Sequence, residues 1–246
     1  MNPRTRLDKL LVERGLVQSR ERAQALILEG KVFVNGMPHA KAGAVVAHDA
    51  GIEVKGDDLK YVSRGGLKLE GALDSFSIDV RGKIAMDIGA STGGFTDCML
   101  QRGLAKSYCI DVGYGQLAWK LRQDPRVIPL ERTNIRHLDR SSIADTMDIA
   151  VIDVSFISLE KVVHRVLEFI KPDGELIALI KPQFEVGKGE VGKGGIVRDE
   201  EKRLAAVERI RLAIESLDLQ TVGIMQSPIL GQKGNVEYLY YGVMRQ

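Results

Sequence analysis

From Lys83 onward, short apolar runs alternate with longer stretches in which apolar residues recur at helical spacing. The runs Ile84–Ile88, Ser107–Asp111, Val127–Leu130, Ile149–Asp153 and Glu175–Ile180 predict strands, and the pattern between them predicts helices around 94–102, 116–122, 158–170 and 199–216. Strands of this kind separated by amphipathic helices belong in a parallel sheet covered on both faces. Two later apolar runs, near Thr221–Met225 and Glu237–Met244, have no helix between them and predict an antiparallel finish to the sheet.

The beginning of the chain follows another pattern. Leu7, Leu10 and Leu11 stand at helical spacing before the stop at Gly15. A second helix is predicted with Ser19 as N-cap, Ala23, Leu26 and Ile27 as its apolar stripe, Gly30 as its end, and Arg20 and Arg22 exposed on its first turn. Lys31 to Val34 followed by Asn35-Gly36 predicts a strand and a tight turn, and Ile52-Glu53-Val54 a closing strand. The expected organisation is a small α+β domain at 1–60, a linker at 61–66 in which Arg64-Gly65-Gly66 is either a passive connection or a hinge, and an α/β domain at 67–246.

With 246 residues, 44% hydrophobic and 28% charged, the chain can build one large core and one small one. No apolar run reaches the ~18 residues that read as a membrane span, and charge rather than an apolar segment follows the N-terminus, so no membrane association is expected and the cytoplasm is the expected compartment. Cys98 and Cys109 are too few for a disulfide framework, and His39, His48, His137 and His164 lack helical pairing, so no metal site is expected. The net charge is only +2, but residues 1–65 hold eleven Lys and Arg against eight Asp and Glu. A positive surplus confined to the small domain suits a phosphate backbone, and nucleic acid is the expected partner.

Asp87-Ile88-Gly89-Ala90-Ser91-Thr92-Gly93-Gly94-Phe95 runs from a buried strand through a glycine turn into a helix, with Asp111 at the end of the next strand. Glycine permits close backbone approach, the first helical turn offers free N–H groups, and a carboxylate one strand on can hold ribose hydroxyls. Dinucleotides and S-adenosylmethionine (AdoMet) are the usual occupants. The glycine spacing is not G-x-G-x-x-G, which disfavours a nicotinamide cofactor. Gly89-Ala90-Ser91-Thr92-Gly93 also matches a hydrolase nucleophile elbow, yet the last histidine is His164, predicted inside a helix, and chain order disfavours a triad. Gly187 to Gly194 begins like a P-loop but has Gly194 where magnesium needs Ser or Thr, and reads instead as a flexible basic loop.

Ligands in open α/β sheets bind beyond the carboxyl ends of the strands. Asp153 ends the fourth predicted strand, Lys181 the fifth, Glu237 opens the last, and Lys68 precedes the sheet. Lysines and carboxylates sharing one pocket hold one another charged.

The segments R-L-D-K-L-L-V-E-R-G and S-R-E-R-A-Q-A-L-I-L-E-G-K-V-F-V-N-G, with Arg4, Arg6, Arg20, Arg22 and Lys31, resemble the S4 RNA-binding domain. The glycine turn and the set Lys68, Asp153, Lys181, Glu237 resemble the K-D-K-E tetrad of FtsJ-like ribose 2′-O-methyltransferases. With Tyr61 to Leu69, Asp111 to Leu117, Asp148 to Leu159 and Ile180 to Glu185, nearly the whole chain resembles the TlyA (hemolysin A) family. That resemblance implies a Rossmann-like methyltransferase moving a methyl group from AdoMet to a cytidine 2′-hydroxyl of ribosomal RNA, of the large subunit above all. It assigns Lys181 to assist proton loss, as a base or as a cation, Asp153 to orient it, and Lys68 and Glu237 to align the ribose. Asp87, Gly89, Ser91, Gly93, Gly94 and Phe95 would form the cofactor wall, Asp111 would hold the ribose and Asn134 the adenine edge. The rival classes are a membrane-active hemolysin and an inert RNA-binding protein.

Overall fold

A computed structural model of the chain describes residues 4–17, 20–39, 41–55, 60–187 and 189–245. Ser19, the expected N-cap, and Lys188, in the P-loop-like segment, lie outside the described residues. The chain divides into two compact units, Met1–Leu59 and Lys60–Gln246.

The first unit comprises helices α1 (Leu7–Glu13) and α2 (Arg20–Leu28) and strands β1 (Arg4–Arg6), β2 (Val32–Val34), β3 (Met37–Pro38), β4 (Val45–Ala47) and β5 (Ile52–Val54), and the helix leucines share a core with residues of β2, β4 and β5. β1 pairs antiparallel with β4, and β2 lies between β3 and β5. Asn35 (φ 51°) and Gly36 (φ 80°) both turn left-handed between β2 and β3, the requirement of a two-residue hairpin that made Asn-Gly legible. The short pair β1–β4 carries no sequence pattern of its own and was not expected.

The second unit is a seven-stranded sheet. Its strands are β6 (Ile84–Ile88), β7 (Lys106–Ile110), β8 (Val127–Leu130), β9 (Met147–Ile152), β10 (Ile170–Ile180), β11 (Leu219–Gln226) and β12 (Tyr238–Met244), in the order β11-β12-β10-β9-β6-β7-β8. β10, β9, β6, β7 and β8 are mutually parallel, and β12 inserts antiparallel between β10 and β11. Alternate residues of each central strand feed two cores. Ala150 and Ile152 face the side covered by α6 (Val163–Leu167) and α8 (Glu200–Glu215), while Ile149 and Val151 share a core with α3 (Gly65–Ser75), α4 (Gly94–Gln101) and α5 (Trp119–Arg122). This is the expected mostly parallel α/β sheet with an antiparallel last strand.

Three expectations need correction. Residues 61–66 are not a linker: Tyr61 is 2% exposed, the Val62 amide donates to Asp97 Oδ2 (2.8 Å), and Gly65-Gly66 open helix α3. The glycine pair disguised that helix. A Cβ on Gly66 would stand 2.4 Å from the Tyr61 ring, so the glycine serves close packing rather than a hinge. The helix expected at 116–122 is only the single turn α5. The one expected at 158–170 is a 3-10 turn at Leu159–Lys161 followed by the short α6, and Ile170 already belongs to β10.

Candidate active site

The strand order determines which sequence-distant residues meet. Reading across the sheet, Asp111 follows β7, Gly89 follows β6, Asp153 follows β9 and Lys181 follows β10; Glu237 precedes antiparallel β12 and therefore stands at the same edge. The chain runs outward from β6 in both directions, to β7 and β8 on one side and to β9 and β10 on the other. The crevice at this reversal is where doubly wound sheets take their ligands.

Gly89 sits at the reversal with φ 80°, and a Cβ there would lie 2.5 Å from the carbonyl oxygen of Asp153. Only glycine lets these two strand ends close together. Beyond it Ser91 also turns left-handed (φ 48°), and its amide donates to Asp111 Oδ2 at 2.7 Å while the Gly113 amide donates to Asp111 Oδ1 at 2.7 Å. Ala90, Ser91, Asp111, Gly113, Gln116 and Glu131 are among the residues lining a recess on this side of Gly89.

Beneath the turn Asp87 is 1% exposed. Its Oδ2 accepts from the Thr96 amide (3.1 Å) and Thr96 Oγ1 (2.7 Å), whereas its buried Oδ1 has no hydrogen-bond partner among the described residues. Burial pushes this carboxyl up to about 7, the Thr96 hydrogen bonds pull against that rise, and the charge of Asp153 adds to it. A recess with a carboxylate, a turn that excludes side chains and an orphaned buried oxygen fit an amino-acid-bearing nucleoside such as AdoMet.

On the other side of Gly89 stand two ion pairs. Lys181 Nζ lies 2.5 Å from Asp153 Oδ1 and donates to Ser155 Oγ at 2.8 Å. Lys68 Nζ, delivered by α3, donates to Glu237 Oε2 at 2.5 Å. The side chains of Lys68 and Lys181 are 11% exposed and that of Glu237 only 2%. Helix α7 (Pro182–Glu185) starts directly after Lys181, and Gln183 from it donates to Glu237 Oε1 at 3.2 Å, which ties the two halves of the cluster together. Sequence reasoning missed Ser155 and Gln183, since a serine and an amide carry no chemical signature of their own.

Several of the expected residues also carry packing or capping roles. Phe95 is 3% exposed and belongs to the α3–α4 core, as the inward face of α4 demands. The missing side chains of Gly93 and Gly94 make room for protein: a Cβ on Gly93 would meet Leu121 Cδ1 at 2.2 Å, and one on Gly94 would meet Ser63 Oγ at 2.2 Å. Asn134 spends its side-chain oxygen capping a 3-10 turn, accepting from the Arg136 amide at 3.1 Å. Just after the P-loop-like segment, Asn235 holds the chain, accepting from the Val197 amide (3.2 Å) and donating to Gly195 O (2.9 Å).

In the first unit, the basic residues are partly engaged. Arg6 grips Asp8 through two hydrogen bonds (3.0 and 2.9 Å), Arg20 Nε adds a third at 2.9 Å and Gln24 a fourth at 3.0 Å. Asp8 is 0% exposed, and its Arg6 partner above all holds its carboxyl well below the usual carboxylate range against the cost of burial. Arg4 donates to Val45 O, Lys31 pairs with Glu29, and Arg22 is half-buried rather than exposed.

Comparison with known proteins decides the family. FtsJ-like methyltransferases match residues 61–243, and the S4 domain matches residues 5–43. A 16S/23S rRNA (cytidine-2′-O)-methyltransferase, TlyA, of Mycobacterium tuberculosis is 46% identical over 98% of this chain and 90% of its own. The chain belongs to the TlyA family of FtsJ-like methyltransferases. A protein named Hemolysin A of Brachyspira hyodysenteriae is 42% identical over 97% of this chain and 100% of its own. A solved structure named as a hemolysin from Streptococcus thermophilus superposes with a TM-score of 0.78 at 39% identity, covering 100% of this chain and 90% of that one. Among the described residues, no helix is long and apolar enough to cross a membrane.

Proposed function

We propose that this protein transfers the methyl group of AdoMet to the ribose 2′-hydroxyl of a cytidine in ribosomal RNA, with large-subunit RNA as its principal substrate. The observation that carries this reading is the pairing of Lys181 with Asp153 and of Lys68 with Glu237 at one sheet edge, next to the glycine reversal and the Asp111 recess. Asp111, braced by the Ser91 and Gly113 amides, would hold the nucleoside half of the cofactor, and Gly89 leaves its path clear. Bound there, AdoMet would supply a methyl group already activated by its positively charged sulfur.

A ribose hydroxyl is a poor nucleophile, so the protein must place it and compensate the charge that shifts as its proton departs. Lys181, anchored by Asp153 and Ser155, presents a cation to the 2′-oxygen. The proton leaves to solvent, toward which Ser155 is exposed. Lys68 is steadied by Glu237 and steadies the sugar. The S4-like unit brings a basic surface to structured RNA, recognised through its phosphates and shape.

The test is incorporation of radiolabelled methyl from AdoMet into ribosomal RNA, with mapping of ribose methylation in cells with and without the protein. A cytidine whose 2′-O-methyl mark disappears with the protein supports the reading. Binding of RNA without incorporation refutes it.

A further inference from the structure

Glu185 is a buried carboxyl that takes no part in the two ion pairs of the site, yet it joins the two loops that carry one of them. The ladder between β9 and β10 ends with Ile152 opposite Ala178, so Asp153, Ser155 and Lys181 all lie past the last hydrogen-bonded pair. The sheet alone therefore does not set the distance between Lys181 and the loop that anchors it. That loop contains Phe156 at φ 64°, a left-handed conformation that a bulky residue keeps only under restraint from its surroundings. Lys181 leads into the single turn α7, too short to hold its own shape. Glu185 closes that turn and reaches across: it is 4% exposed, and its Oε1 accepts from the Leu159 amide at 2.9 Å. From α8, Arg209 donates to the Glu185 carbonyl oxygen at 2.6 Å and to Glu160 Oε1 at 3.0 Å, which backs both sides of the join. Burial pushes the Glu185 carboxyl up, and the Leu159 hydrogen bond pulls against that rise. A leucine would fill the space without the cost of burying an acid, but it could not hold the Leu159 amide.

We propose that Glu185 is a positioning residue: by holding the Leu159 amide from the end of α7, it locks the loop from Asp153 to Ser158 against Lys181 and so aims the ammonium group at the ribose 2′-oxygen. The inference rests on the methyltransfer reading and deepens it. A lysine carries its charge on a flexible four-carbon stem, so Nζ goes where its partners stand. Those partners, Asp153 Oδ1 at 2.5 Å and Ser155 Oγ at 2.8 Å, belong to the loop that Glu185 secures. Neither contact survives if the two loops drift apart. The Asp111 recess lies on the other side of Gly89, outside the reach of this join. Glu185 therefore governs the rate of the methyl transfer step and leaves cofactor affinity alone.

The test compares the wild-type protein with Glu185→Leu, which offers no acceptor, and Glu185→Gln, which keeps one oxygen within reach of the Leu159 amide. Methyl transfer to ribosomal RNA is followed with AdoMet and RNA varied separately. Amide hydrogen exchange at Leu159 is followed by NMR on the same proteins without substrates. Glu185→Leu should lose kcat by about 10²-fold, the cost of misplacing a reacting group by roughly 1 Å, with KM for AdoMet and for RNA unchanged. Protection of the Leu159 amide should be lost in that variant while the strands stay protected, and Glu185→Gln should recover both protection and most of the rate. A wild-type kcat in Glu185→Leu overturns the proposal, as does a raised KM with kcat kept. So does a fall in kcat with Leu159 still protected, which would assign the carboxyl another task. Should Glu185→Leu fail to fold, Glu185→Asp, which keeps the charge but falls one methylene short of Leu159, takes its place with the same expected loss. A wild-type protein that methylates no ribosomal cytidine sinks the broader reading, whatever the exchange shows. Methylation by wild type with an unmoved rate in the variant sinks only the role of Glu185.

Discussion

Lys181 Nζ stands 2.5 Å from Asp153 Oδ1, yet the angle leaves that buried oxygen without an aligned hydrogen bond. The pair is held mainly by charge and by the side-by-side ends of β9 and β10, and Ser155 supplies the directional bond at 2.8 Å. Such an arrangement keeps a cation available at the sheet edge. Replacing Lys181 with Met should therefore lower methyl transfer by roughly 10²–10⁴-fold, the range for losing a positioned acid, base or charge. AdoMet binding, measured by calorimetry, should persist in this variant and weaken in Asp111→Ala. Near-normal turnover by the Lys181 variant would show that the cation has no part in the reaction.

The second pair makes a separate statement about stability. Glu237 is 2% exposed, so Lys68→Met leaves a carboxylate buried beside Gln183 alone. Removing one member of a buried pair typically costs about 3–5 kcal/mol, while replacing both with apolar residues can be neutral. Urea unfolding of the larger unit should shift strongly for Lys68→Met and recover in Lys68→Met/Glu237→Leu, with activity absent in both. If the single variant unfolds at the wild-type midpoint, the pair is not a buried ion pair in solution.

Asp87 predicts a pH dependence of unusual sign. A carboxyl raised to about 7 in the folded protein, against about 3.9 in an unfolded chain, binds its proton more tightly when folded. The stabilisation this gives is complete below the unfolded value and is lost as pH rises through the window from about 4 toward 7. Asp87→Asn, which cannot ionise, should flatten that part of the stability profile. Parallel profiles for the two proteins, followed by urea midpoints across the window, would mean that Asp87 is already ionised at low pH.

How far the sequence carried depended on the range of the physics involved. The strands were legible because burial on both faces makes them apolar throughout, and Asp153 and Lys181 followed from the rule that strand ends bear ligands. Asn35-Gly36 was legible because two consecutive left-handed residues demand that chemistry. Helix α3 was hidden by Gly65-Gly66, whose small size answers to the Tyr61 ring, a tertiary contact that no local pattern records. Gly93, Gly94 and Phe95 read as a cofactor wall because glycine-rich turns serve both ligands and packing. Here the spaces their backbone leaves are filled by Leu121 and Ser63, and Phe95 points into the core. Gln183 was silent for the opposite reason: an amide becomes informative only once its neighbours show which of its two ends is satisfied.

The S4-like unit gives the last prediction. Arg6 and Arg20 converge on one buried carboxylate, Asp8, so they are both candidate phosphate ligands and supports of their own fold. A guanidinium has five N–H donors, and the bonds to Asp8 leave donors over on each. Replacing Arg4, Arg6 and Arg20 together with Gln should weaken binding to ribosomal RNA and reduce the slope of log affinity against log salt, by ~0.7–0.9 for each phosphate that is no longer neutralised. The same change strips Asp8 of its cations, which lowers stability independently. Asp8→Asn separates the two effects: it loosens the cluster, at about 1–3 kcal/mol, while keeping every positive charge. If affinity falls through the phosphates, Asp8→Asn should retain the wild-type salt slope and the triple variant should not. A full slope in the triple variant would place the RNA surface elsewhere.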